Sequence, residues 1–295
     1  MAGMLPLALS IIASTLFSLT IKFAHRRGCT LLAVGATNYL TAAVVYLGAS
    51  LLTFVRLGSR LPAPRTLLMG GVTGVLFVGA FVLIAELQER RGISVTTAAL
   101  RLSVLFPVVA SLLFWGEKAS GTQLAGMGVT LVSLPLLGMA RGSGSGSRAG
   151  RRRWSASDYV GLVVTVGLFI ANGLVSVAIR FYHQVGSPEE RVYFFAVLFL
   201  TAALASRLAL AAARHRVARL DVLPGVFLGI WNTGASFLLL VSLATIPGFI
   251  AFPLQSALAL VLTAAAALVV WREKLSVPAA IGMVLAVGAV VLLNL

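Results

Sequence analysis

The chain has 295 residues, 59% of them hydrophobic and only 11% charged, with 23 Lys plus Arg against 8 Asp plus Glu. A soluble domain carries about 25% charged residues, so the soluble globular class is excluded and a membrane class takes its place. The net charge of +15 would suggest nucleic acid in a soluble chain. Here the cations gather in short connections between long apolar runs, with no aromatic-basic platform, and read as loop charges that hold membrane topology.

The first apolar run, residues 5–24, is long enough to span. It ends in "KFAHRRG" with no small-residue cleavage site, so it reads as a retained helix and not a signal peptide. Cys29, the only cysteine, rules out an intrachain disulfide and a cysteine-based metal site. About 20 apolar residues cross the hydrocarbon core, and further runs of that kind cover 31–55, 66–87, 95–115 and 121–140. The stretch 141–157, "RGSGSGSRAGRRRWSAS", is a flexible Gly/Ser linker kept in water by its arginines. Spans resume over 158–180, 190–212, 222–244, 248–271 and 277–294. The runs are continuous, without the alternation of a barrel strand. The expected fold is therefore an all-α integral membrane protein of ten transmembrane helices.

The two sides of the linker repeat each other. "FWGEKAS" at 114–120 matches "VWREKLS" at 270–276, "KFAHRRG" at 22–28 matches "RFYHQVG" at 180–186, and "GVLFVGA" at 74–80 matches "GIWNTGA" at 229–235. Three matches at nearly one offset divide the chain into repeats 1–140 and 158–295, separated by the linker. Five helices end on the side opposite their start, so the second repeat has inverted topology. That is the architecture of many secondary transporters, with a substrate site near the midplane.

Ten helices in two halves, each with W-x-E-K-x-S between its fourth and fifth helices, resemble the drug/metabolite transporter superfamily of EamA type, over nearly the whole chain. The resemblance implies secondary transport of a small metabolite, export more than uptake, in the cytoplasmic membrane. It also implies that helices one, three, four, six, eight and nine line a central cavity. A lipid-linked carrier or flippase of the same fold is the alternative. The expected partners are a small-molecule substrate and the lipid bilayer, with a homodimer compatible and no nucleic acid. No cofactor is expected.

In the repeated motif, Trp115 and Trp271 end a span, where an amphipathic ring suits the headgroup zone. Ser120 with Gln123 makes a capping box for the fifth helix, and Ser276 caps the tenth likewise, with Pro278 in its first turn. The motif reads either as a tight hairpin at the interface or as a gate in which Glu117 and Glu273 form salt bridges during alternating access.

Polar residues inside spans need a reason. Arg101 lies about 9 Å into the fourth span, where an arginine costs about 3 kcal/mol on insertion scales. It either snorkels, pairs with Glu86 near the end of the third span, or meets an anionic substrate group, which a planar guanidinium suits. Asn38, Asn172, Asn232 and Gln255 also lie mid-span, with Tyr39 and Trp231 beside two of them. They read either as interhelical hydrogen bonds worth under ~2 kcal/mol each or as a pocket surface, for which Trp231–Asn232 is the better candidate. With the cavity helices that the resemblance implies, the substrate-binding candidates are Arg101, Asn172, Trp231, Asn232 and Gln255, and Asn38 less so. Gly70 with Gly74, and Gly225 with Gly229, have the small-residue spacing of close helix packing.

No span carries an acidic residue near its middle, which disfavours proton-coupled export of cationic drugs. The histidines lie at span ends or in loops, and no placed catalytic groups are evident, so an enzyme is not expected. Orientation is contested. Sixteen of the 23 Lys and Arg follow odd-numbered spans, which puts that side in the cytoplasm and both termini outside; the resemblance implies the reverse.

Overall fold

The computed structural model describes residues 3–56, 61–138, 156–271 and 277–293, and among these no strand occurs. The helices are α1 (Met4–Arg26), α2 (Leu31–Arg56), α3 (Pro64–Leu102), α4 (Leu105–Phe114) and α5 (Gly121–Gly138), then α6 (Ala156–Val185), α7 (Arg191–Ala212), α8 (Arg219–Ser242), α9 (Gly248–Trp271) and α10 (Val277–Leu293). A 3-10 turn, Pro188–Glu190, precedes α7. Seven of the helices are long and apolar enough to cross a membrane: α1, α2, the Pro64–Gln88 part of α3, and α6 to α9. The protein is an all-helical, multi-pass membrane protein by this measure.

The expected third and fourth spans, 66–87 and 95–115, leave residues 88–94 between them, and the third apolar span does end at Gln88. Helical backbone continues through "QERRGIS" to Leu102. The segment holds no proline, and Gln, Glu and Arg are good helix formers. Leu87 and Ala99 on this helix share one buried cluster with Leu168 on α6. The break comes later, at Ser103–Val104, because Pro107 lacks an N–H and its ring would strike the carbonyl of Ser103, four residues back. Phe106 N–H donates to that carbonyl instead at 3.1 Å, tightening the turn.

The described residues form two compact units, each drawn from both sides of the linker. The first holds residues 1–81 and 175–246, the second 82–174 and 247–295. In the first unit α2 packs on α7 and α8, and α1 on α8. Its interior is aromatic: Tyr46 stacks on Phe195 and Phe199 with centroids 5.1 and 5.4 Å apart, and Tyr182 stacks on Phe194 at 3.9 Å. In the second unit α5 packs along α10, and α9 against α4 and α5.

Two crossings in the first unit are made by glycine pairs. A Cβ placed at Gly225 or Gly229 of α8 would lie under 3.0 Å from the carbonyl oxygens of Val34 and Asn38 on α2. A Cβ at Gly70 or Gly74 of α3 would meet those of Phe194 and Leu198 on α7 just as closely. Backbones at this distance leave no room for any side chain. The contacts recur in register: Gly70 and Gly74 stand 155 residues before Gly225 and Gly229, and Val34 and Asn38 stand 160 before Phe194 and Leu198.

Candidate functional site

Three of the scarce carboxylates fasten the start of a helix, where backbone N–H groups have no partner within the helix. Asp221, in the first turn of α8, accepts from its own N-cap Ala218 N–H at 2.9 Å and from Thr30 N–H, just before α2, at 3.0 Å. Glu190, just before α7, accepts from Ala63 N–H at 3.3 Å and from the Thr66 hydroxyl, at the start of α3. Glu117 accepts from Gly248 and Phe249 N–H, at the start of α9, at 3.1 and 3.2 Å. Negative charge is favoured at each of these positions by the helix dipole.

The motif around Glu117 explains how it reaches α9. Helix α4 ends at Phe114, and Gly116 takes the left-handed conformation, φ +63°, which a side chain disfavours. Glu117 N–H donates to Ser111 O at 3.3 Å, closing the turn. The capping box expected at Ser120 forms, with Ser120 N–H donating to Gln123 Oε1 at 3.0 Å and Gln123 N–H to Ser120 Oγ at 3.2 Å. Val108, Met127 and Phe249 make a buried cluster beside it, with Leu112, Ala119 and Ile250 against it. Thus the hairpin is tied to α9 through the backbone. Glu273, Lys274 and Ser276 of the second copy lie outside the described residues, as does the side chain of Trp271.

Of the candidate substrate residues, the structure joins two to other polar groups. In the first unit, Asn232 Nδ2 donates to Asn38 Oδ1 at 3.2 Å. Asn38 is 1% exposed, and its own Nδ2 finds no acceptor among the described residues; a buried, unmet amide donor is destabilising. Trp231 is half-buried next to Asn232 on α8. In the second unit, Asn172 on α6 donates to Ser103 Oγ and to Leu100 O, the latter at 3.4 Å. It thereby holds the broken end of α3, the turn that carries Arg101, whose side chain lies outside the described residues. Gln255 and Glu86 are half-buried on α9 and α3.

From sequence Asn38 was only a lesser candidate, and the helix-start role of Asp221 and Glu190 was not read. Asn38 lay on a helix outside the implied cavity set, so its tie to Asn232 had no sequence signal. The carboxylates had one: acidic residues are rare in this chain, and both stand where an apolar run begins.

Two likenesses to known proteins accompany this geometry. No known protein-family profile matches the chain. A Haemophilus influenzae protein described as an uncharacterized protein is 22% identical over 234 residues, covering 77% of this chain and 75% of its own. A protein of known crystal structure is similar over 98% of both chains, with a TM-score of 0.74 at 20% identity. The chain shares the fold of that solved structure.

Proposed function

We propose that the protein is a secondary transporter of ten spans in two inverted five-helix halves. It moves a small acidic or zwitterionic metabolite across the cytoplasmic membrane by alternating access, as an exporter. The observation that carries this reading is the recurrence of the glycine crossings. The third helix of each half lies against the second helix of the other, at matched positions in both directions.

The carboxylate fasteners support the parity of spans two to eight independently. Thr30 and Asp221 follow the first and seventh spans, Ala63 and Glu190 the second and sixth, Glu117 and Gly248 the fourth and eighth. Groups in contact must lie at the same face of the membrane, and an even number of crossings between the members of each pair, as spans two to eight give, puts them there. One miscounted span between the members of a pair would put them on opposite faces. The absence of any mid-span carboxylate in the sequence favours an anionic or zwitterionic cargo over a lipophilic cation. Arg101 receives the substrate anion, with Asn172 and Gln255 as further candidates in the second unit and Trp231 and Asn232 as candidates in the first.

The test is melting of the purified protein in detergent against amino acids, organic anions, sugar phosphates and lipophilic cations. A ligand that binds only the folded state raises Tm by mass action. Acids or zwitterions raise it, and Arg101→Ala abolishes the shift. A shift with lipophilic cations alone overturns the cargo assignment, and response to a lipid-linked substrate alone favours the carrier or flippase alternative.

A further inference from the structure

At one end of the first unit two chain connections are joined. Thr30 N–H donates to Asp221, the Cys29 thiol to Leu220 O at 3.5 Å, and Ala33 and Ala36 share a buried cluster with Leu210, with Leu32 and Val217 packed on it. The joined surface carries Lys22, Arg26 and Arg27 from the end of α1 and the residue after it, and Arg214, Arg216 and Arg219 from the α7–α8 connection and the first residue of α8, and the five arginines are exposed. The one carboxylate within residues 22–30 and 207–221, Asp221, is 2% exposed and turned to backbone N–H groups.

Two features separate this charge from the needs of the frame. The stretch "KFAHRRG" recurs 158 residues later as "RFYHQVG", where Gln184 and Val185 stand for Arg26 and Arg27. The corresponding helix end, although closed differently, therefore carries no cations at these two places. The second is strain. Helix α1 closes on Gly28 at φ +72°, with Cys29 N–H donating to Ala24 O at 3.1 Å. Helix α7 closes in the same way, His215 N–H donating to Leu210 O at 3.1 Å, but the left-handed residue is Arg214 at φ +54°. A non-glycine residue is strained there, and strain kept at a position points to a use for its side chain.

We propose that this surface binds the phosphate headgroups of anionic phospholipids, so that this end of the unit faces the leaflet richer in them. Clustered arginines present forked donors that match phosphate oxygens, and basic residues at a membrane end draw anionic lipid, each by about five-fold in binding.

The experiment measures lipids retained by the full chain, by native mass spectrometry, in neutral detergent containing equal phosphatidylglycerol and phosphatidylcholine. The wild type retains phosphatidylglycerol in preference. Arg214→Gly relieves the left-handed strain, so it melts at the same or a higher temperature while its preference falls about five-fold. Adding Arg216→Gln and Arg219→Gln lowers the preference by about a hundred-fold in all. An unselective wild type, or a triple variant that keeps the full wild-type preference for phosphatidylglycerol, overturns the proposal. So does inorganic phosphate that displaces phosphatidylglycerol at equal concentration, which would make the ligand a soluble anion.

Discussion

Replacing Glu117 separates a fastener from a gate. Its carboxylate accepts the first N–H groups of α9, from Gly248 and Phe249, at 3.1 and 3.2 Å, beside the cluster of Val108, Met127 and Phe249. Removing a helix N-cap costs about 0.5–2 kcal/mol, and the lost charge at the dipole adds about 0.3–1 kcal/mol. Glu117→Ala is therefore expected to lose about 2 kcal/mol, since two N–H groups lose their acceptor together. At about 2 °C per kcal/mol, the lower end for large chains, Tm falls by about 4 °C. Glu117→Gln keeps one acceptor oxygen and loses the charge, so about half of that is expected. The assay is melting of each purified variant in detergent, repeated as transport in proteoliposomes. A cap lowers stability in the order Ala then Gln while transport below the melting range persists. An Ala variant that melts like the wild type but no longer transports would refute the fastener and restore the gate.

The remaining predictions test other links. Gly74→Ala and Gly229→Ala drive a Cβ into a facing carbonyl and should each destabilise by about 1–3 kcal/mol, read as Tm. Gly71→Ala and Gly79→Ala, which meet nothing within 4 Å, should gain up to about 1 kcal/mol; equal losses at all four sites would remove the crossings from the argument. A double-mutant cycle of Asn38→Ala and Asn232→Ala should give a coupling of about 0.6 kcal/mol, the usual size for such a bond between membrane helices, and additivity would mean the bond contributes nothing. The Cys29 thiol, outside the spans, is pushed above its ordinary value near 9.0 by burial first and by the Asp221 carboxylate second, against Arg27. The folded state therefore holds that proton more tightly, and any stability this lends is present below pH 9.0 and lost as pH rises through the raised value. Alkylation rate should turn up only above pH 9.0, and Asp221→Asn should move the midpoint down; an unmoved midpoint removes Asp221 as a cause. With the Lys and Arg bias setting orientation, a membrane-impermeant maleimide should reach Cys29 only after cells are opened, and labelling of intact cells reverses the assignment.

Much of the fold was legible because bilayer thickness imposes a length. Runs such as 5–24, 31–55 and 222–244 became α1, α2 and α8 within a few residues, and the Ser120–Gln123 box formed where its spacing put it. The backbone of the third connection was not legible, because "QERRGIS" is polar without being a helix breaker, while the actual break depends on Pro107 meeting the carbonyl of Ser103. The fasteners were illegible for a different reason. Glu117 and Gly248 are 131 residues apart, and no local pattern ties a carboxylate to a helix start at that separation. The candidate pocket was read only as far as side-chain chemistry allows. Asn172 and Asn232 were found, but that one steadies a helix end and the other leans on Asn38 depends on which helices meet.

The Asp221 and Glu190 fasteners have a consequence for how such a chain can change over time. Thr30 stands 160 residues before Glu190, and Thr66 stands 155 before Asp221, so the two contacts occupy matched places with the acid and the hydroxyl residue exchanged between helices. Either helix can carry the acid, provided that the other offers a donor. An exchange of acid and donor between the two helices would leave such a contact intact, and a reading that looks for the same residue type at matched positions misses a pairing of this kind.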